Sequence, residues 1–243
     1  MTELLKNEKF EPLGYNGLEI IQNSELYRFT SDSVIFANYI DVNKGAKVLD
    51  LGCGSGIIGT IIASKTSADT VVGIDIQDCL IDMARRSAEH NGLADKLKII
   101  KLDIVGAYEQ LGTFDIVVTN PPYEKLNAGE GSASEHINIC RREVLLTFDN
   151  IAETASRCLN SKGRFYMIHR ANRLAECIIT MAKNNLITKR VTLLIPKVGK
   201  VADTVIITAK KDAKQGMTMD TIIVNNDNDT ITEQVINLIE RKR

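Results

Sequence analysis

Four short apolar runs, each followed by a turn or a helix-length stretch, leave this chain few ways to fold. They are Lys47–Leu51, Val71–Asp75, Leu97–Leu102 and Phe114–Thr119, all rich in Val, Ile and Leu. Between them stand a glycine turn at 52–56, a helical stretch from Ile57 to Ser64, and a second from Asp78 to His90 that Asn91-Gly92 stops. Strands alternating with helices of this length predict an α/β fold, a mostly parallel sheet with helices on both faces. In such sheets ligands collect outside the carboxyl ends of the strands. Asp50, Asp75, Asp103 and Asn120 fall at four successive ends, so the spacing predicts one polar rim.

The remainder extends the pattern. A helical run is expected from Val144 to Leu159, a strand from Arg164 to His169 after Gly163, and a helix from Ala171 to Lys183. Val191 to Ile195 and Thr204 to Ala209 read as strands without a helix between them, hence as a C-terminal antiparallel hairpin around the loop Pro196 to Val201. A polar turn at Asn225 to Asp229 precedes an amphipathic helix, Thr232 to Arg241. Residues 1–45 read as an N-terminal lead-in packed on a catalytic domain of residues 46–243. Within the lead-in, Leu18 to Gln22 has strand character, and Val34 to Ile40 a helical one with Ser31 or Asp32 as its cap.

No apolar stretch approaches the ~20 residues of a membrane span. The five cysteines form no CxxC or Cys/His cluster, which favours reduced thiols in the cytoplasm over disulfides or a zinc site. The carboxylates are too dispersed for a metal site. The net charge is −1, but residues 141–214 carry 15 Lys/Arg against 6 Asp/Glu, while residues 1–140 carry 12 against 20. Local basic surface can attract phosphates even on a neutral chain, although solvated helix faces give the same count.

Two motifs carry the chemistry. Asp50-Leu51-Gly52-Cys53-Gly54-Ser55-Gly56 is a glycine turn between strand and helix, where backbone can approach a ligand closely. The dinucleotide fingerprint would need a glycine at position 57, which is Ile57. A carboxylate two positions before Gly52 suits a cationic ligand better than a pyrophosphate. Asn120-Pro121-Pro122-Tyr123 ends the fourth strand. Its two prolines can neither extend the strand nor enter a helix interior, so one amide and one aromatic ring are held in a stiff loop, as a planar amine substrate requires.

The first motif resembles the cofactor loop of class I S-adenosylmethionine-dependent methyltransferases, whose sheet is Rossmann-like. The resemblance implies cofactor contacts from Asp50, Gly52, Cys53, Gly54, Gly56, Asp75, Ile76, Asp103, Ile104 and Asn120. Asp75 would accept from the ribose hydroxyls and Asp103 would meet the adenine amine, while Cys53 itself reads as loop packing. Read without the resemblance, Asp75 is a solvated strand end and Asp103 a turn residue. The second motif resembles the [DNS]-P-P-[YFW] signature of enzymes that methylate planar nitrogens. It implies Asn120, Pro121, Pro122 and Tyr123 as the catalytic set, with the Asn120 oxygen and the Pro121 carbonyl holding the amine and Tyr123 stacking on its ring.

Over most of its length the chain is similar to the bacterial tRNA1(Val) adenosine-37 N6-methyltransferase family. Shared stretches include Arg28-Phe29-Thr30-Ser31-Asp32-Ser33, Ser134-Glu135-His136 leading to Arg141-Arg142-Glu143, Ile168-His169-Arg170, and Pro196-Lys197-Val198-Gly199-Lys200. This similarity implies an RNA (tRNA) substrate, adenine-N6 chemistry in the anticodon loop, and a monomer. Arg141, Arg142, Arg170, Arg173, Lys197 and Lys200 are the candidate phosphate contacts, and loop 124–140 would fold over bound substrate. A protein glutamine methyltransferase shares the same tetrapeptide, although such enzymes usually carry an additional helical domain. A DNA adenine methyltransferase would need a target-recognition insertion. A third alternative is an RNA-binding protein with an idle cofactor fold.

Overall fold

The computed structural model describes residues 2–15, 17–26, 30–121 and 146–241. Its centre is an eight-stranded sheet. In chain order the strands are β3 (Lys47–Leu51), β4 (Thr70–Asp75), β5 (Leu97–Lys101), β6 (Phe114–Thr119), β7 (Leu159–Arg170), β8 (Leu186–Ile195), β9 (Thr204–Lys211) and β10 (Thr218–Ile223). Across the sheet they run β10-β8-β9-β7-β6-β3-β4-β5. Only β9 is antiparallel to its neighbours, β7 and β8. The other pairs are parallel, so seven strands present their carboxyl ends to one edge.

Helices cover both faces, which is why the inner strands read as continuous apolar runs and not as alternation. On one face Val48, Val71, Ile116, Val118 and Ile206 pack against α1 (Ser31–Tyr39), α2 (Ile57–Lys65) and α3 (Asp78–His90), and α6 (Glu233–Glu240) adds Val235. On the other, Leu49, Ile74, Val117, Phe165 and Ile207 pack against α4 (Phe148–Cys158) and α5 (Leu174–Lys183). Successive residues such as Val117 and Val118 therefore enter different cores. Thr147 starts α4 with a reciprocal side-chain cap to Asn150.

The lead-in forms an antiparallel hairpin of β1 (Glu8–Pro12) and β2 (Glu19–Asn23), followed by α1. It is fastened to α3 by Arg86, which bonds both carboxylate oxygens of Glu8 at 2.7 and 2.8 Å. Ile21 N–H also donates to the Ser87 hydroxyl at 2.9 Å. The expected cap of α1 is corrected: Thr30 holds the N-cap position, without a side-chain cap bond, and Ser31 and Asp32 are already helical. The Asp32 carboxylate instead accepts from the Thr204 hydroxyl. The expected C-terminal hairpin forms between β8 and β9. Neither β1 nor β10 stands out in the sequence, because β1 is charged and β10 is an edge strand with four exposed residues in six. Among the described residues no helix is long and apolar enough to cross a membrane.

Candidate active site

Register decides what meets at the carboxyl edge. Leu51 pairs with Thr119 and with Ile74, so the next residues, Gly52, Asn120 and Asp75, emerge side by side from β3, β6 and β4. The Thr119 hydroxyl donates to the Leu51 carbonyl at 2.9 Å, locking the first two tips together. Asp103 follows two residues after β5, exposed, and its carboxylate accepts from the Val105 N–H at 2.9 Å. The predicted rim is therefore present, with one refinement. Asp50 lies inside β3, one residue short of the tip, and is completely buried.

The glycine loop closes tightly because three of its residues take left-handed angles. Gly56, at φ 85°, sits where an added Cβ would lie 3.0 Å from the Ala84 Cβ of α3. The Cys53 N–H donates to the Ile74 carbonyl at 2.9 Å. Its side chain fills the space over Gly73, where any Cβ would meet it at 3.0 Å. Burial pushes the Cys53 thiol well up, so it is protonated packing, as the sequence suggested. Asp75 spans the strand and the loop, accepting from the Gly54 N–H through one oxygen and from the Gln77 N–H through the other, each at 3.0 Å. Burial raises its carboxyl, while those amides oppose the shift.

Asp50 is the electrostatic anomaly. Neither of its oxygens has a hydrogen-bond partner of normal geometry among the described residues. Burial raises it to about 7; the nearby Gly59 amide opposes this, and the Asp75 charge adds to it. The ordinary value is 3.8, so the carboxyl's contribution to stability is full below about 4 and is lost as pH rises through 7. Wild-type protein should therefore lose stability relative to Asp50→Asn between pH 5 and pH 8 in denaturant titrations. A pH-independent difference would contradict this. Both Asp50 oxygens are closed to solvent at the base of the positive-φ glycine loop, so the carboxyl would favour a cationic amino group at that loop through its charge and not through direct contact. Asp75 fits vicinal hydroxyls. Ile76, 43% exposed beside Asp75, offers a platform to a flat ring, and Ile104 is buried with its Cδ1 3.7 Å from the Cβ position of Gly52.

Asn120 follows β6 directly, and its Nδ2 donates to the Ser33 hydroxyl of α1 at 3.0 Å. Pro121 is buried behind it. Pro122, Tyr123, Arg141, Arg142 and loop 124–140 lie outside the described residues. The other basic candidates share the edge with Asn120. Arg170 ends β7 and pairs with Thr204, which also pairs with Leu194, so the loop 196–203 leaves the sheet level with Arg170. Arg170 and Lys200 are exposed. Arg173 is turned inward to a paired contact with Glu176 at 2.9 and 3.1 Å, and Lys197 is salt-bridged to Asp229 at 2.7 Å. His169 is fully buried, accepting from the Arg170 N–H, and burial holds it neutral, lowered to about 4. It packs within the fold and does not reach the edge.

Sequence reasoning missed two residues of the lead-in. Gln22, 2% exposed, donates to the Ser55 hydroxyl in the glycine loop at 2.7 Å, and Ser33, also 2% exposed, meets Asn120. Their partners lie 33 and 87 residues away. The available signal was a polar residue within an apolar strand and a serine that the helix did not need as its cap.

A family model described as methyltransferase small domain matches residues 28–190. A tRNA1(Val) (adenine(37)-N6)-methyltransferase of Dickeya chrysanthemi is 30% identical over 141 residues, covering 57% of this chain and 54% of the relative. An rRNA N(6)-adenosine-methyltransferase of Caenorhabditis elegans is 37% identical over 89 residues, 35% of this chain and 42% of the relative. The chain thus spans about half the length of these relatives. Among solved structures, a predicted O-methyltransferase, protein Atu636 from Agrobacterium tumefaciens, superposes with a TM-score of 0.70 at 22% identity, covering 85% of this chain and 94% of the other. That likeness is one of fold.

Proposed function

The chain belongs to the methyltransferase small domain family, and on that footing we propose that it transfers a methyl group from S-adenosylmethionine to the exocyclic N6 amine of an adenine in RNA. The observation that carries this reading is the emergence of Asn120 beside the glycine loop, fixed by the Leu51–Thr119 pair. Residues 1–45 serve as a lead-in that props both loops, and residues 46–243 as the catalytic domain. The cofactor site is the glycine loop with Asp50, Asp75, Ile76, Asp103 and Ile104.

An adenine amine is a poor nucleophile because its lone pair is delocalised into the ring. The Asn120 oxygen and the Pro121 carbonyl accept its two N–H bonds, which favours pyramidal nitrogen and turns the lone pair towards the glycine loop. Positioning and fixed dipoles then supply most of the rate, without a strong base. When bound at the glycine loop, S-adenosylmethionine would supply an electrophilic methyl, the electron pair of the broken carbon–sulfur bond being left on sulfur. The nitrogen forms its new bond to carbon and sheds one proton to water. Tyr123 stacks on the base.

Arg170 and Lys200, exposed on the same edge, suit the phosphates of an RNA strand, and Arg141 and Arg142 extend the same basic stretch in sequence. Unpaired loop bases are the cheapest to present to such a site, since little stacking has to be broken. Names of relatives point to tRNA and to rRNA; of the two we favour a tRNA anticodon loop, met by a monomer in the cytoplasm. The test is methyl transfer from labelled S-adenosylmethionine to tRNA, rRNA, DNA and total protein in parallel, with nucleosides resolved after digestion. N6-methyladenosine from tRNA is the expected product. Label in N5-methylglutamine of protein would replace this reading with the glutamine alternative.

A further inference from the structure

We infer that Ser33 is a positioning residue for methyl transfer, setting the rotation of the Asn120 carboxamide from the first turn of α1. This role rests on the proposed reaction. The terminal torsion of an asparagine is broad and roughly two-fold, so the backbone at Asn120, however well held by β3, does not decide which atom of the amide faces the acceptor amine. A carboxamide turned the wrong way presents N–H to N–H. In the structure Nδ2 is occupied by the Ser33 oxygen at 3.0 Å, which turns the carbonyl end away from α1.

The prop is itself fixed. Ser33 is 2% exposed, and its N–H donates to the Thr30 carbonyl at 3.0 Å. Asp32, its neighbour, accepts from the Thr204 hydroxyl at 3.2 Å, tying the same helical turn to the start of β9. Asp32 and Ser33 therefore contact two elements of the carboxyl edge at once. That accounts for a buried hydroxyl at a helix start where Thr30, not Ser33, takes the cap position. The lead-in then belongs to the reacting centre as well as to its packing.

Kinetics on the full chain with RNA as acceptor test this. Ser33→Ala should lower kcat about five- to tenfold, the worth of one hydrogen bond, with the RNA KM and the cofactor dissociation constant within about twofold of wild type on the same scale. Ser33→Thr, which keeps the acceptor oxygen, should recover most of the loss. A double-mutant cycle guards against a threonine that does not fit. In an Asn120→Asp background the two carboxylate oxygens are equivalent, so removing the Ser33 hydroxyl should change kcat by less than about twofold. Equal losses in both backgrounds, or wild-type kcat in Ser33→Ala, would overturn the role while leaving the reaction intact. A wild-type chain that methylates no RNA would instead overturn the reaction, and this role with it.

Discussion

Asn120→Ala should reduce methyl transfer by on the order of 10²–10³-fold, the usual loss when one preorganised polar partner of a reacting group is removed, while cofactor affinity stays near wild type. The side chain is an acceptor at the point where nitrogen rehybridises, and the Pro121 carbonyl alone cannot hold both amine hydrogens. The fold should survive, because Asn120 lies outside β6 and its bond to Ser33 is worth only about 1 kcal/mol. Melting temperature and cofactor titration serve as controls, and initial rates with RNA are the readout. Asn120→Asp, which retains an acceptor, should keep far more activity than Asn120→Ala. Turnover at the wild-type rate in Asn120→Ala would remove the proposed chemistry altogether.

Legibility in the sequence followed how locally each feature is determined. β3, β4 and β6 could be read because burial on both faces sets two or three apolar residues in a row (Val48-Leu49, Val71-Val72, Ile116-Val117-Val118). β5, at the sheet's edge, could be read because Leu97, Ile99 and Ile100 stand among its lysines, and the turns between these strands carry glycine. The rim followed from that, since Asp75, Asp103 and Asn120 lie at or just past the ends of their strands. β10 could not be read. Thr218 to Thr221 are exposed, and Ile222 is its only buried residue, so an edge strand here has no hydrophobic signature; its existence depends on β8 being available to pair with it. Side-chain partners are less legible still. Lys197 and Arg173 look alike in sequence to Lys200 and Arg170, yet the first pair is tied to Asp229 and Glu176 while the second pair is exposed. The sequence shows Asp50 as an acidic residue near the loop, but its complete burial follows from pairing on both sides, with Gly73 and Val118, and from Gly59 of α2 packing close to its carboxylate.

Asp75→Ala should weaken cofactor binding by about 1.5–3 kcal/mol, the worth of hydrogen bonds to an ionised acceptor, or roughly 10- to 150-fold in the dissociation constant. The structure gives two reasons for the effect to be large. The carboxylate is the group on β4 that would receive vicinal hydroxyls, and it also holds the Gly54 N–H at 3.0 Å. Losing it leaves, among the described residues, the hydrogen bond from the Cys53 N–H to the Ile74 carbonyl and the packing of Cys53 over Gly73 to tie the middle of the glycine loop to β4. Asp75→Asn separates the two functions. Its amide oxygen can still accept from Gly54, but its NH₂ then replaces the oxygen that accepts from the Gln77 N–H, so it should keep the tie to the glycine loop while losing the Gln77 bond and much of the hydroxyl contact. An ordering of wild type, Asn, then Ala in affinity would assign Asp75 both roles. Equal, large losses in the two variants would assign the effect to hydroxyl binding alone, and an unchanged titration in Asp75→Ala would show that β4 does not face the cofactor.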